Sequence, residues 1–289
     1  MDQIKVLTDQ WPEYQLLDSG DYQKLERFGD FVLMRSEPRA WWKKSLGNDE
    51  WSKANATYLM EGKGVWEKKG VVPKEFAIKY KDLAFKLKLT EMSKHVGVFP
   101  EQSPQWDWVY DKIKNSGRTD VKVLNLFSYT GAATMVCAAA GAAVTHVDGS
   151  KAAVDWAHEN QIASGLTSKP VRWMLDDCER FVKREVKRGS KYDAIILDPP
   201  AFGRGPKGQV WKVEEALPGF MENCGQLLTD NALFVWLTAY TIDASSLSIS
   251  NLMQDIVVGK GGTVQAGEMV IKQQNGRLLP MSIFSLWEK

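Results

Sequence analysis

Between residues 14 and 35 the chain alternates apolar and polar positions (YQLLDSGDYQKLERFGDFVLMR), and it does so again over 76–90 (FAIKYKDLAFKLKLT). Alternation of period two is the mark of half-buried strands. Turn signals lie around these stretches: Ser19-Gly20-Asp21, Gly29-Asp30, Gly47-Asn48-Asp49 and Gly62-Lys63-Gly64. Residues 1–93 are therefore expected to form a small β-rich domain. A connector over 94–120 follows, with His95-Val96-Gly97-Val98-Phe99-Pro100-Glu101-Gln102 and then a helical stretch through Trp106, Val109 and Ile113 that ends near Asn115-Ser116-Gly117.

From Val121 the pattern changes. Apolar strands are expected at Val121–Phe127, Ala143–Asp148, Val171–Leu175, Ala194–Leu197 and Ala232–Thr238. Helical patterns fall between them, at Ala132–Ala140, Ala152–Ser164, Cys178–Arg188 and Glu214–Leu228. Continuously apolar strands alternating with helices predict a parallel sheet covered on both faces. The rhythm then breaks. Thr263–Gln273 and Leu278–Trp287 read as strands around Asn275-Gly276, a hairpin signal. The fold class is α/β, a doubly wound sheet over 121–289 that finishes in an antiparallel hairpin.

Composition narrows this picture only slightly. In 289 residues, 44% are hydrophobic and 25% charged, which suits a globular chain with a large core. No apolar run reaches the length of a membrane span, and the start, MDQIKVLTDQW, lacks a secretory leader, so no membrane partner and a cytoplasmic location are expected. Cys137, Cys178 and Cys224 are widely spaced and have no histidine at ligand spacing, which argues for reduced thiols rather than a metal site. Net charge is +1, but from Arg35 to Lys88 thirteen Lys or Arg face seven Asp or Glu, interleaved with Trp41, Trp42, Trp51, Tyr58 and Trp66. That mixture suits phosphate contact and base stacking. It equally suits a small β domain with a solvated basic face.

Ligands of doubly wound sheets bind beyond the carboxyl ends of the strands. The first strand runs into Asn125-Leu126-Phe127-Ser128-Tyr129-Thr130-Gly131. A dinucleotide fold needs several glycines here for its pyrophosphate. This loop has one, and suits an adenosine ligand without a diphosphate, or is an ordinary turn. The second strand ends in Asp148-Gly149-Ser150, whose carboxylate can accept two ribose hydroxyls or cap the next helix. The third ends in Asp176-Asp177-Cys178, where one acid can meet an adenine amine and the other cap a helix. The fourth gives Asp198-Pro199-Pro200-Ala201-Phe202-Gly203-Arg204-Gly205. Two prolines remove two N–H donors, so their carbonyls can face a substrate beside Asp198, with Phe202 as a stacking surface. Of the histidines, His146 on a strand and His158 on a helix read as structural, while His95 in the connector has a weaker claim to a site.

Taken together, N-L-F-S-Y-T-G-A, V-D-G-S, D-D-C and D-P-P-A-F resemble the bacterial class I S-adenosylmethionine-dependent methyltransferases that modify bases of 23S ribosomal RNA. The connector His95–Gln102 resembles their T-G-x-x-x-D-Q segment, with Val96 for Thr and Glu101 for Asp. The likeness covers roughly Lys94 to Tyr240. It implies a Rossmann-like sheet of order 3-2-1-4-5-7-6 and S-adenosylmethionine as cofactor, with an RNA acceptor. Residue by residue it implies that Asn125, Phe127, Ser128, Tyr129 and Gly131 line the cofactor. Asp148, Gly149 and Ser150 would hold its ribose, Asp177 and Cys178 its adenine, and Gln102 its methionine end. Asp198, Pro199, Pro200 and Phe202 would face the acceptor, with Asp198 also bordering the cofactor.

One departure shapes the chemistry. Members of that family that methylate cytosine at C5 resemble one another in a cysteine after the fourth or fifth strand. Here those strands run into Pro-Pro-Ala-Phe and into Leu237-Thr238-Ala239-Tyr240. Direct attack by a nitrogen or oxygen is therefore expected, without a thiol intermediate and without a metal. The competing readings are a protein or small-molecule acceptor, a non-catalytic RNA-binding chain, and a nicotinamide-dependent oxidoreductase, the last weakened by the missing glycines and the terminal hairpin.

Overall fold

The computed structural model describes residues 5–7, 11–59, 64–91, 93–204 and 210–289. Of the turn signals, Gly62 and Lys63 lie outside these residues, as does Gly205 of the fourth-strand loop. The chain divides into two compact units, and the division is not one cut along the sequence. Thr8–Pro104 is joined by Val270–Met281, whereas Gln105–Met269 is joined by Met1–Leu7 and Ser282–Lys289. The tip of the final hairpin thus belongs to the amino-terminal unit.

The larger unit holds the mixed sheet. Its strands are β1 (Lys122–Leu126), β2 (Ala143–Asp148), β3 (Val171–Leu175), β4 (Ala194–Leu197), β5 (Phe234–Ala239), β6 (Thr263–Lys272) and β7 (Leu278–Glu288). Across the sheet the order is Lys5–Leu7, β6, β7, β5, β4, β1, β2, β3. Strands β1 to β5 pair in parallel, β7 runs antiparallel to β5, and Lys5–Leu7 adds a parallel edge strand beside β6. Helices α1 (Ser103–Asn115), α2 (Ala132–Ala140), α3 (Lys151–Ala163), α4 (Cys178–Arg188), α5 (Val213–Gln226) and α6 (Ser246–Ile256) accompany the strands. Every residue of β4 and β5 is buried, as a central parallel strand requires.

One face of the sheet closes over a core in which Leu126, Val147, Ile195, Leu197 and Val235 meet Phe181 of α4, Phe220 and Met221 of α5, and Met253 of α6. Register decides where this places chemistry. Leu126 pairs with both Val147 and Leu197, and Asp148 pairs with Leu175. The ends of β1 to β4 are therefore level, and Phe127, Asp148, Asp176 and Asp198 leave the sheet at one edge.

The amino-terminal unit is built on a five-stranded sheet of Tyr14–Gly20, Gln23–Phe28, Phe31–Ser36, Ala56–Leu59 and Val65–Lys68, in that order, with a separate hairpin of Glu75–Tyr80 and Leu83–Lys88. Fully buried Glu26 pairs with Arg35 at 2.7 Å and Lys24 at 3.3 Å, and accepts the Tyr14 hydroxyl. Among the described residues no helix is long and apolar enough to cross a membrane.

Candidate active site

The loop after β1 is wound tightly. Phe127, Tyr129 and Gly131 have φ of 55°, 48° and 82°. Left-handed backbone is costly for bulky residues and persists only where its surroundings impose it. Here they do. The Ser128 amide donates to Val147 O at 3.1 Å, and its hydroxyl donates to Asn125 O at 2.6 Å. The Phe127 amide donates to Cys178 Sγ at 3.2 Å, the Tyr129 amide to Asp148 Oδ2 at 2.8 Å, and the Gly131 amide to Ser128 O at 2.9 Å. Gly131 opens α2, and a Cβ there would lie 3.0 Å from that of Ala157.

Asp148 is the loop's counterpart. Its two oxygens accept from the amides of Tyr129 and Ser150, each at 2.8 Å. Among the described residues no cation pairs with it. Burial raises its pKa above the ordinary range, and the two amide donors pull the other way without cancelling that rise. Gly149 follows in open space: a methyl group there would meet nothing nearer than Asp176 O at 3.8 Å. Ser150 caps α3 through Ala153 N.

After β3 the two acids divide their work. Asp176 pairs with Arg180 at 2.8 Å and with Arg184. Asp177 caps α4, its Oδ1 accepting the Arg180 amide at 2.9 Å, and among the described residues nothing donates to Oδ2. Cys178 turns its thiol inward beneath Phe127, so only its backbone faces the edge. Asn125 is similar. It is buried, and its amide donates to Thr134 Oγ1 at 2.9 Å, which in turn meets His146 Nδ1 at 2.9 Å. Burial lowers the pKa of His146 to about 3, so this ring is neutral. Cys178 therefore braces the loop with its thiol, and Asn125 ties β1 to α2 with its side chain.

Beyond β4, Asp198 is half-buried, Pro199 buried and Pro200 exposed. Phe202 is 55% exposed. The chain then forms a short hairpin that the sequence does not announce, Phe202–Arg204 against Val210–Lys212. It carries Trp211, which the sequence reading overlooks. The Trp211 indole donates to Pro200 O at 2.7 Å, and its ring lies 5.3 Å from Phe127 and 5.5 Å from Phe220. One side chain thus touches both the β1 loop and the Asp-Pro-Pro loop. Its only sequence signal is a tryptophan next to a glycine-rich stretch. Gln102 belongs to the amino-terminal unit, at the end of the turn Pro100–Gln102, where its amide donates to Phe99 O at 3.0 Å.

No family model matches the chain. A solved S-adenosylmethionine-dependent methyltransferase from Agrobacterium tumefaciens is 41% identical, over 98% of this chain and 93% of that one, with a TM-score of 0.94. The chain belongs to the S-adenosylmethionine-dependent methyltransferases. A protein of Pseudoalteromonas atlantica named ribosomal RNA large subunit methyltransferase K/L is 30% identical over 203 residues, 68% of this methyltransferase and 27% of that protein. A similarly named protein of Hahella chejuensis is 34% identical over 146 residues, 50% of this chain and 19% of its own length. This methyltransferase thus spans only 12% to 27% of the length of curated relatives of that name. Its cofactor is S-adenosylmethionine.

Proposed function

We propose that this methyltransferase modifies a nitrogen or oxygen atom of an unpaired RNA base, with large-subunit ribosomal RNA as the first acceptor to test. The observation that carries the reading is one level sheet edge, at which a half-buried carboxylate at Asp148, paired with no cation among the described residues, stands with an exposed aromatic ring at Phe202 beyond Asp198-Pro199-Pro200. The names of the curated relatives support the RNA acceptor, and such an acceptor puts the work in the cytoplasm.

The residues present fit the cofactor. Asp148 has both oxygens fixed by backbone amides and, among the described residues, no cation to neutralise it, which suits two ribose hydroxyls as added donors. Gly149 and Ser150 would follow the ribose. Phe127, Ser128, Tyr129 and Gly131 form a braced wall, and Asp177 Oδ2 and the Cys178 amide would meet the adenine.

S-adenosylmethionine, when bound, supplies an already activated methyl. The chain's part is then to hold the acceptor atom in line, which can contribute on the order of 7–11 kcal/mol of the barrier. Phe202 would stack on a base that is unpaired or flipped out. Asp198 would accept a hydrogen bond from the acceptor's N–H or O–H and so turn its lone pair. Of the two proline carbonyls, that of Pro200 is committed to Trp211, which leaves that of Pro199 for the acceptor. All three thiols are buried, and burial raises each pKa, so none is placed to act as a nucleophile.

The test is to map methylated nucleotides in ribosomal RNA from a deletion strain and its parent, and to restore any lost mark with the purified chain. A mark that is lost and restored supports the reading. Unchanged RNA, with methyl transfer to a protein or a small molecule, overturns it.

A further inference from the structure

The tryptophans and tyrosines in and beside the basic stretch of the amino-terminal unit differ sharply in exposure. Trp51 and Tyr58 are core residues, 5% and 7% exposed, and Trp66 is half-buried. Trp41 is 77% exposed, and Tyr22, from the facing turn, is 61% exposed. The two are neighbours along the backbone: the Tyr22 amide donates to Ala40 O at 2.9 Å, and the Asp21 amide to Trp42 O at 2.7 Å. Tyr22 also holds a φ of 62°, in a turn position that Asn or Gly would fill at lower cost. An aromatic ring kept there, in solvent, adds nothing to the core.

The strip is rigid. Gly20 lets the backbone of Lys43 and Lys44 approach so closely that a Cβ would fall 2.4 Å from Lys44 N. Buried Asp18 accepts from the amides of Ser45 at 3.0 Å and Leu46 at 2.8 Å, from the Trp51 indole at 2.9 Å, and from Gln273 at 2.7 Å. That last contact brings in the hairpin tip, whose Arg277 lies over the Trp42 ring at 5.5 Å. Near the rings in sequence or by contact are Arg39, Lys43 and Arg277, and with them the exposed carboxylate of Asp21, which Lys43 pairs at 3.0 Å. Glu37, which pairs with Arg39, is buried.

We propose that Tyr22 and Trp41, with the Arg277-covered Trp42 and with Lys43 beside them, form a platform on which consecutive bases of single-stranded RNA stack. Pre-ordered rings lose little freedom on binding, every base has a face to stack, and the cations meet the phosphates between. The inference rests on the RNA reading above and adds the surface that takes up RNA outside the reaction site.

Fluorescence anisotropy of a labelled, mixed-sequence single-stranded RNA 20-mer against the full chain tests it. Tyr22→Ala/Trp41→Ala is expected to weaken binding at least about five-fold, as loss of base–aromatic stacking does. Trp41→Phe should restore most of it, and affinity for S-adenosylmethionine should be unchanged in all variants. Lys43→Ala/Arg277→Ala should lower the slope of log affinity against log salt by about 0.7 per lost phosphate contact. Wild-type binding in the aromatic double variant overturns the platform and leaves the RNA reading intact. A wild-type chain that binds no RNA and methylates some other acceptor overturns both. A dimer in sedimentation that Trp41→Ala dissociates would show that a second copy, not RNA, covers the rings.

Discussion

The Trp211 indole donates to the carbonyl of Pro200 at 2.7 Å, so a residue of the short hairpin fixes the loop proposed to face the acceptor. The same ring packs 5.3 Å from Phe127, whose amide is held by Cys178. Trp211→Phe keeps the ring and removes the donor. One partly exposed hydrogen bond is worth about 1 kcal/mol, so kcat/KM for methyl transfer should fall roughly five-fold, with S-adenosylmethionine affinity within two-fold of wild type. Trp211→Ala, which also removes the packing on Phe127, should weaken cofactor binding as well. Equal cofactor loss in both variants, measured by calorimetry, would show that the hydrogen bond is not what matters.

Asp148 gives a pH signature with a definite sign. Its pKa in the folded chain is raised above 3.8 by burial. Between that value and the raised one, the folded chain holds the proton more tightly than the unfolded chain does. The stability of the cofactor-free protein should therefore fall as pH rises through that window, and Asp148→Asn should remove the slope. Cofactor affinity should run the opposite way, because ribose hydroxyls donate best to the ionised form. It should weaken on acidification through the raised pKa, and Asp148→Asn should cost at least about ten-fold at neutral pH. Thermal melts and calorimetry across the acidic range read both slopes.

The proposed direct mechanism leaves no work for a thiol. Cys137, Cys178 and Cys224 are buried, so Cys137→Ala and Cys224→Ala should lower stability through lost packing and leave the rate of methyl transfer unchanged. RNA carrying 5-fluorocytosine should form no denaturant-stable adduct with the chain. A trapped adduct would reinstate cysteine attack.

Much of this was readable from residue patterns. Strands β2, β3 and β4 occupy the residues predicted for them, and β4, buried throughout, has the unbroken apolar run that a central parallel strand needs, whereas β3 at the edge of the sheet is only partly buried. β1 stops one residue short of its run, since Phe127 turns into the left-handed region to start the loop. Three things were not readable. Helix α6 hides its buried face, Ile249 and Met253, among Ser245, Ser246, Ser248 and Ser250, a composition that suggests a loop. The hairpin that carries Trp211 consists of three-residue strands without periodicity. The third is a matter of distance: Gln273 reaches Asp18 across 255 positions of sequence, and no local pattern reports that pairing. At the site, position along the chain put Asn125 forward as a cofactor residue, and only the structure shows its amide turned to Thr134.

Gly131 tests the braced loop directly. A side chain there must adopt a φ of 82° and approach Ala157 Cβ to 3.0 Å. Gly131→Ala should cost about 1–2 kcal/mol from backbone conformation alone, seen as a lower urea midpoint with an unchanged slope. Gly149→Ala, where φ is not left-handed and nothing lies closer than 3.8 Å, should leave stability near wild type, which makes it the control.

The buried charges of the amino-terminal unit give a last, separable prediction. Burial acts to raise the pKa of Glu26, but Arg35 and then Lys24 outweigh it, and the carboxyl is held below its usual 4.5. A depressed carboxylate contributes stability that is present above 4.5 and is lost as pH falls through the folded-state value. Glu26→Gln should flatten that acid limb. Glu26→Ala should do more harm, because it strands Arg35, which is 4% exposed, without its carboxylate and leaves buried Lys24 only its longer contact with Glu37 at 3.6 Å. Breaking one side of a buried pair costs roughly 3–5 kcal/mol, so this unit should unfold at a lower urea concentration. Affinity for S-adenosylmethionine, titrated below that concentration, separates the two units: retained affinity in the Glu26 variants places the loss in the amino-terminal unit, and a parallel loss would mean that the two units unfold as one.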